Sequence, residues 1–222
     1  MRSMTKNNEN MRIAGVKTIN DWNELKLKLD VNNNNYWDEA FSFFEKRIET
    51  RYFKPIEAIL NICNDEGEGF AIVNLQCSLI ETIECFINGW ISSFEERKTV
   101  WRKYNGDIIH KSNKKIFISF FKNRNPFKIL DIDGKGFYKN VRCGLLHETQ
   151  TKDGWKINTK VNNDKAIENK IIYRENFHSD IKKTIEDYKS AIIKKEDFDN
   201  SISVNDLRQN FKDKFNHICD IS

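Results

Sequence analysis

The chain has 222 residues, of which 39% are hydrophobic and 32% are charged. That length and apolar content suit one domain with a real core and exclude global disorder. No apolar run approaches the length of a membrane span, and the N-terminus lacks the apolar stretch of a signal peptide, so we expect a cytoplasmic protein without a membrane partner. The five cysteines form no Cys-x-x-Cys pair, which favours reduced thiols and gives no support to a metal site.

Charge is divided unevenly along the chain. Residues 1–110 carry 14 Lys and Arg against 17 Asp and Glu, a balance of −3, whereas residues 111–222 carry 23 against 16, a balance of +7. The basic second half suits a polyanionic partner, and a lysine-rich solvated surface is the alternative interpretation.

Residues 1–35 are polar and rich in asparagine, and they predict a loose N-terminal arm with one short helix at most. Residues 36–222 are predicted to form a single helical domain. Its most apolar helix, Phe70 to Trp90, is expected at the centre of a bundle. Glu81 and Glu84 interrupt that helix; we interpret both as solvent-facing, and the alternative gives one of these carboxylates a function.

The next two segments have a less clear apolar periodicity. Ser93 to Lys115 has no sustained apolar period, so we expect a loop with short helical pieces. Ile116 to Lys122 fits a strand or a buried helix by periodicity alone, and its helical neighbourhood favours a helix.

A tight turn at Asp153-Gly154 precedes two stretches that alternate apolar and polar residues, Trp155–Val161 and Ile171–Arg174. The alternation predicts a small β-hairpin near 155–174.

Two helices are expected to complete the chain. One runs from about Asp180 to Lys195 with Ser179 as N-cap, and the last begins at Ser203, which with Asp206 resembles a capping box. The predicted fold class is therefore mainly α: a helical bundle with a small β-hairpin inserted between its later helices.

The residues that suggest chemistry are Arg142 and His147, in the stretch Phe137–Gln150, FYKNVRCGLLHETQ. An arginine keeps its charge and can hold a phosphate, and a histidine exchanges protons near neutral pH. Five positions on a regular helix correspond to roughly 140° around its axis, so the two side chains share a broad sector. The structural alternative pairs Arg142 with Glu148 or with a carboxylate of the long central helix, and it bonds His147 to a backbone carbonyl at the helix end.

VRCGLLHE resembles the Arg-x4-His signature of the HEPN superfamily of ribonucleases and nucleotide-binding helical domains. The segments GEGFAIVNLQCSLIETIE and FYKNVRCGLLHETQTKDGWKI also resemble a family of bacterial proteins of undefined activity, from Ile48 to about Tyr188. The resemblance implies a HEPN-like bundle that forms a homodimer and cuts RNA in a shared cleft without a metal or another cofactor. Cys143 follows the arginine, where many HEPN nucleases carry Asn, Asp or His.

The resemblance also implies a role for each residue. His147 would take a proton from the ribose 2′-hydroxyl or give one to the leaving oxygen, and Arg142 would hold the phosphate oxygens. Glu148 or Glu81 would orient them, and the sequence neighbours Lys139 and Lys152 would contact RNA phosphates. Such an enzyme would act in phage defence or as a toxin, with a cognate antitoxin or regulatory partner.

A second hypothesis is a non-catalytic helical module that binds RNA, a nucleotide or a protein partner. A further pair, Arg174 and His178, lies at the predicted junction of hairpin and helix. We interpret His178 as a capping or surface residue.

Overall fold

A computed structural model describes residues 9–62, 66–95, 98–110, 112–160, 165–199 and 201–221. The protein is mainly α with some β structure. The helices are α1 (Ile19–Leu25), α2 (Trp37–Ile48), α3 (Lys54–Asn61), α4 (Glu68–Asn88), α5 (Lys114–Asn123), α6 (Gly134–Phe137), α7 (Cys143–Glu148), α8 (Arg174–Lys194) and α9 (Val204–Asp220). The strands are β1 (Arg12–Ala14), β2 (Lys17–Thr18), β3 (Ile91–Glu95), β4 (Lys98–Arg102), β5 (Ile108–His110), β6 (Lys156–Asn158), β7 (Ile167–Glu168) and β8 (Ile171–Tyr173).

Helix α4 is the centre of the bundle, as its apolar sequence predicts, and it packs against α5, α8 and α9. Its buried face includes Ile72, Leu79, Ile83 and Phe86. By length and composition α4 could also cross a membrane, but 61% of its most apolar window is buried inside the protein. That burial is expected for the core helix of a soluble protein.

The centre of the core is aromatic. The ring of Phe211 on α9 lies 5.9 Å from Phe41 on α2 and 5.7 Å from Phe86 on α4, measured between centroids. The first pair is stacked and the second is tilted, and aromatic pairs of this kind add roughly 0.5–1.5 kcal/mol each beyond area burial. These contacts lock three helices that are far apart in sequence into one bundle.

Residues 9–35 do not form the predicted loose arm, because several of their apolar side chains enter this core. Ile13 and Leu25 are buried, and the Trp22 indole is fully buried 4.6 Å from the ring of Phe215. The Trp22 Nε1–H donates to Asn216 Oδ1 at 3.0 Å, so its polar edge is satisfied as well. The segment is polar on average, but a few large anchors suffice to dock it.

The prediction of a loop with helical pieces over 93–115 is wrong, whereas the helix predicted over 116–122 is confirmed as α5. Strands β3, β4 and β5 form an antiparallel sheet in that order. Ser93 faces Val100 in the register, and Glu95 faces Lys98. Exposed apolar residues such as Phe94 and Ile108 blur the alternation that would have identified these strands.

The predicted hairpin near 155–174 is wrong in its pairing. Strand β6 runs parallel to β8, and the antiparallel partner of β8 is the short β7. The turn that joins β7 to β8 is made by Asn169 and Lys170, both with positive φ. Residues 161–164 of the predicted hairpin lie outside the described residues.

The last two helices differ in how well their starts were predicted. Helix α8 begins at Arg174, directly after β8, so Ser179 lies inside the helix and is not its N-cap. The start of α9 is confirmed, because the Ser203 side chain accepts a hydrogen bond from the Asp206 backbone.

One buried ion cluster joins α4 to α5 and to the segment before α9. The Arg124 guanidinium donates to both oxygens of Glu84 at 2.8 Å, and it also donates to Asp199. Glu84 is fully buried, so the interpretation of this carboxylate as solvent-facing is wrong. Burial lowers the pKa of Arg124, but the charges of Glu84 and Asp199 outweigh that effect and the net shift is upward.

We predict that Glu84→Ala lowers the free energy of unfolding by about 3–5 kcal/mol, because the variant leaves a buried arginine without its main partner. Chemical denaturation of the full chain measures this loss. The matched control is Glu45→Ala, which breaks the exposed pair between Glu45 and Lys189 and is expected to cost about 0–1 kcal/mol. Equal losses in the two variants would contradict the structural role of the cluster.

Candidate nucleic-acid site

The helical segment 134–148 carries Arg142 and His147, as predicted. The Asp133 side chain caps its start by accepting a hydrogen bond from the Lys135 backbone at 3.0 Å. A π-helical turn, Tyr138–Arg142, connects α6 to α7, and the segment ends at Thr149 in the left-handed conformation. Such π-helical turns are rare and occur often at functional sites.

Gly144 allows the chain to fold back onto this helix. The Lys152 backbone N–H donates to the Asn140 carbonyl at 2.8 Å, so the segment after the helix runs beside it. A Cβ at position 144 would lie only 2.5 Å from the Gln150 carbonyl oxygen. Glycine is therefore required here by the close approach of a second backbone.

Arg142 lies in the groove between this helix and α4. Its Nε donates to Glu81 Oε1 at 2.7 Å, and each of these side chains is 20% exposed. The predicted structural alternative for Arg142, a carboxylate partner on the central helix, is thus present. Burial lowers the pKa of Arg142, but the charge and hydrogen bond of Glu81 outweigh it, so the net shift is upward.

The pairing with Glu81 occupies only one side of the guanidinium. The two terminal nitrogens of Arg142 make no hydrogen bond within the described part of the chain, and neither is sealed from solvent. The guanidinium also lies 5.8 Å from the centroid of the Tyr138 ring. Arg142 is therefore held at Nε while its terminal N–H groups remain available to an anion.

Tyr138 is a neighbour that the sequence interpretation missed, although it lies one helical turn before Arg142. Burial, with a hydrogen bond to Cys143, raises the pKa of the Tyr138 hydroxyl to about 12. Tyr138 stays protonated at neutral pH and acts as a support for the arginine. Cys143 is half-buried and is a free thiol.

His147 lies in the last turn of α7 and is exposed. No described residue forms a hydrogen bond or an ion pair with its ring, so the predicted bond to a backbone carbonyl is not present. The geometry of α7 separates it from Arg142 by roughly 140° around the helix. Within one chain, Arg142 points into the groove beside α4 while His147 is free in solvent.

Three further predicted site residues, Glu148, Lys139 and Lys152, do not contact Arg142 or His147. Glu148 accepts from Lys152 at 3.0 Å, and both side chains are largely exposed. Lys139 is exposed and has no partner among the residues that the structure describes. Only Glu81, of the two proposed supporting carboxylates, contacts Arg142.

Arg174 and His178 form no second exposed site, because both are buried. The interpretation of His178 as a capping or surface residue is therefore wrong. Neither of its ring nitrogens has a hydrogen-bond partner among the described residues, and the ring of Phe53 lies edge-on at 5.3 Å. Burial, together with the charge of Lys182, lowers the pKa of His178 to about 4.

Within the described ranges, no group of three or more His, Cys, Asp or Glu side chains is placed to hold a metal ion. The chain matches no family model, no curated protein and no solved structure. The functional assignment therefore depends on the geometry of the Arg142 and His147 helix.

We predict that Gly144→Ala destabilises the protein by a net loss of up to about 2 kcal/mol. Alanine favours a helix by about 1 kcal/mol over glycine, but overpacking against the Gln150 carbonyl costs about 1–3 kcal/mol. Thermal or chemical unfolding measures the difference. Lys139→Ala is the control at an exposed position of the same helical segment, with an expected change within about 0.5 kcal/mol. A stabilised Gly144→Ala variant would show that the two backbone segments are not in contact.

A second prediction concerns pH. His178 binds a proton more weakly in the folded protein than in the unfolded chain, whose histidine pKa is near 6.5. The contribution of His178 to the free energy of unfolding is therefore complete above pH 6.5. That contribution declines by up to about 3 kcal/mol as the pH falls toward 4. His178→Leu should remove this part of the acid sensitivity, whereas His147→Gln at an exposed position should not. Parallel pH profiles of unfolding for the wild type and His178→Leu would contradict the burial of a neutral imidazole.

Proposed function

We propose that this protein is a HEPN-type endoribonuclease that cleaves RNA without a metal, through attack of the ribose 2′-hydroxyl. The observation that carries the proposal is the state of two side chains on one helix. In the part of the chain that the structure describes, the terminal nitrogens of Arg142 beside Glu81 have no hydrogen-bond partner, and the exposed His147 has none either. Both lie in the basic half of the chain, which suits a polyanion.

The mechanism assigns one role to each group. The terminal N–H groups of Arg142 bind the non-bridging phosphate oxygens and stabilise the negative charge that builds up in the transition state. His147 accepts the proton of the 2′-hydroxyl or donates one to the leaving 5′-oxygen. The products are a 2′,3′-cyclic phosphate and a 5′-hydroxyl, and DNA is not cleaved because it lacks the 2′-hydroxyl.

Glu81 has a positioning role in this mechanism. Its hydrogen bond to the Nε of Arg142 restricts the guanidinium, so the terminal nitrogens are oriented before RNA binds. Lys139, which is exposed, and Lys152 supply further positive charge near the same helix. Their contribution is expected in RNA affinity, since they contact no reacting atom.

A homodimer would complete the site. Because Arg142 and His147 point roughly 140° apart on one helix, a single chain offers only one arginine and one histidine to different sides. A two-fold axis near α7 would bring the same residues of a second copy into the cleft. Leu146, whose surface is 48% exposed beside His147, would be covered in such a dimer.

A non-catalytic module that binds RNA, a nucleotide or a protein is the second candidate. The observation that favours it is the Arg142–Glu81 pair, because a carboxylate at 2.7 Å reduces the net charge presented to a phosphate. The enzyme would act in the cytoplasm in phage defence or as a toxin with a cognate antitoxin. The module would act there by binding alone.

The test is incubation of the full chain with structured RNA in the presence of a chelator. We expect fragments with 2′,3′-cyclic phosphate ends, and a rate that falls about 10²-fold or more in Arg142→Ala and in His147→Ala. Arg102→Ala is the matched control, since Arg102 pairs with Glu95 on the β3–β4 sheet in a similar way. Its rate should equal that of the wild type.

Each outcome separates the two candidates. Cleavage that persists in His147→Ala or Arg142→Ala contradicts the nuclease mechanism. Binding of RNA without cleavage supports the module. An all-DNA copy of the substrate should remain intact, and its cleavage would rule out attack by the 2′-hydroxyl.

A further inference from the structure

A cavity of about 310 Å³, which Glu81 helps to line, lies between α2, α4, the β3–β4 sheet and α9. Its volume is at the lower end of the range for small-molecule sites, about 300–1,000 Å³. The charged groups that line it include Arg47, Arg51, Lys214 and His217. Three permanent cations from distant parts of the sequence thus meet in one concave site.

None of these cations has a carboxylate partner among the described residues. Arg47 donates to the Ile13 carbonyl at 2.6 Å, and Lys214 donates to the Trp90 carbonyl at 2.7 Å. Arg51 is exposed at the cavity and makes no hydrogen bond to a described residue. Neutral carbonyls orient the cations but leave their charge uncompensated, which is costly in a partly desolvated site.

The cations also repel one another. Burial, with the charge of Arg51, lowers the pKa of Arg47 to about 10. Burial lowers the pKa of Lys214 as well, and Arg47 adds to that effect. Burial and the charge of Lys214 lower the pKa of His217. An anion bound between these cations would relieve this repulsion.

The acidic groups nearby do not supply that anion. Glu81 lines the cavity, but its charge is matched by Arg142. Asp220 lies near His217 and accepts a hydrogen bond from the Tyr104 hydroxyl at 2.9 Å. Among the described residues, the positive charges that line the cavity therefore outnumber the negative charges.

The remaining walls suit an organic group beside an anion. Trp101, which is 6% exposed, contributes an apolar edge to the cavity wall, and Ile221 is 69% exposed and also lines the cavity. The Tyr52 hydroxyl, which lies 2.9 Å from Thr82 Oγ1, adds polar contacts. Such a mixture of apolar walls with a few convergent polar groups is typical of a small-molecule site.

We propose that this cavity binds the phosphate group of a small phosphate monoester, between Arg47, Arg51 and Lys214, with its organic part against Trp101. The site is separate from the Arg142 and His147 helix and does not depend on ribonuclease activity.

Calorimetric titration of the full chain tests the proposal with three probes: phenyl phosphate, inorganic phosphate and phenol. We expect phenyl phosphate to bind most tightly, inorganic phosphate more weakly and phenol not detectably. Lys214→Met and Arg51→Gln should each weaken phenyl phosphate binding about ten-fold or more, because each removes a charged donor to the phosphate. Lys214→Met keeps the length of the side chain, and thermal unfolding checks that it remains folded.

Lys103→Met is the matched control. Lys103 is also half-buried and donates to a backbone carbonyl, that of Asn88, but it lies outside this cavity. Its variant should bind phenyl phosphate with wild-type affinity. No binding of either phosphate probe, or equal weakening in Lys214→Met and Lys103→Met, would overturn the proposal. Equal affinity for phenyl phosphate and inorganic phosphate would limit the site to the free anion and remove the role of Trp101.

Discussion

Two glutamates one turn apart on α4 hold the later part of the chain to the bundle. Glu84 binds Arg124 and fixes the end of α5, and Glu81 binds Arg142 and fixes the helix of the candidate site. The chemistry of the two pairs is the same, but their burial differs. Removal of either partner of the fully buried Glu84–Arg124 pair would leave an unpaired charge in the core. This pair therefore has a structural role. The pair at 20% exposure keeps contact with solvent, and its arginine can still meet an anion.

The sequence identified those parts of the fold in which one local pattern decides the structure. The apolar face of α4, the short apolar run of α5 and the Ser203 cap of α9 each specify an element without help from distant residues. Prediction from the sequence failed where pairing between distant residues determines the structure. The parallel contact of β6 with β8 and the docking of Trp22 against Phe215 leave no local period, so composition suggested a hairpin and a loose arm. Burial of Glu84 also depends on Arg124, which is 40 positions away.

Only part of the candidate site could be predicted from the sequence. Arg142 and His147 were found because they share one short stretch, and the possible carboxylate partner of Arg142 was foreseen on the central helix. The direction in which each side chain points was not predicted. It depends on the π-helical turn and on the return of the chain past Gly144. The cavity cations were missed altogether. Arg47 and Lys214 meet only after α2 and α9 have packed together around the aromatic core.

Glu81 connects these observations, because it accepts the hydrogen bond of Arg142 and also lines the cavity. One carboxylate carries a single negative charge, which cannot neutralise Arg142 and the cavity cations together. The shortest contact, 2.7 Å to the Nε of Arg142, commits that charge to the arginine. A positive excess therefore remains in the cavity, while the terminal N–H groups of Arg142 retain unused donor capacity. Both proposed anion sites follow from this one imbalance, since α4 presents too few carboxylates for the cations that the fold gathers around it.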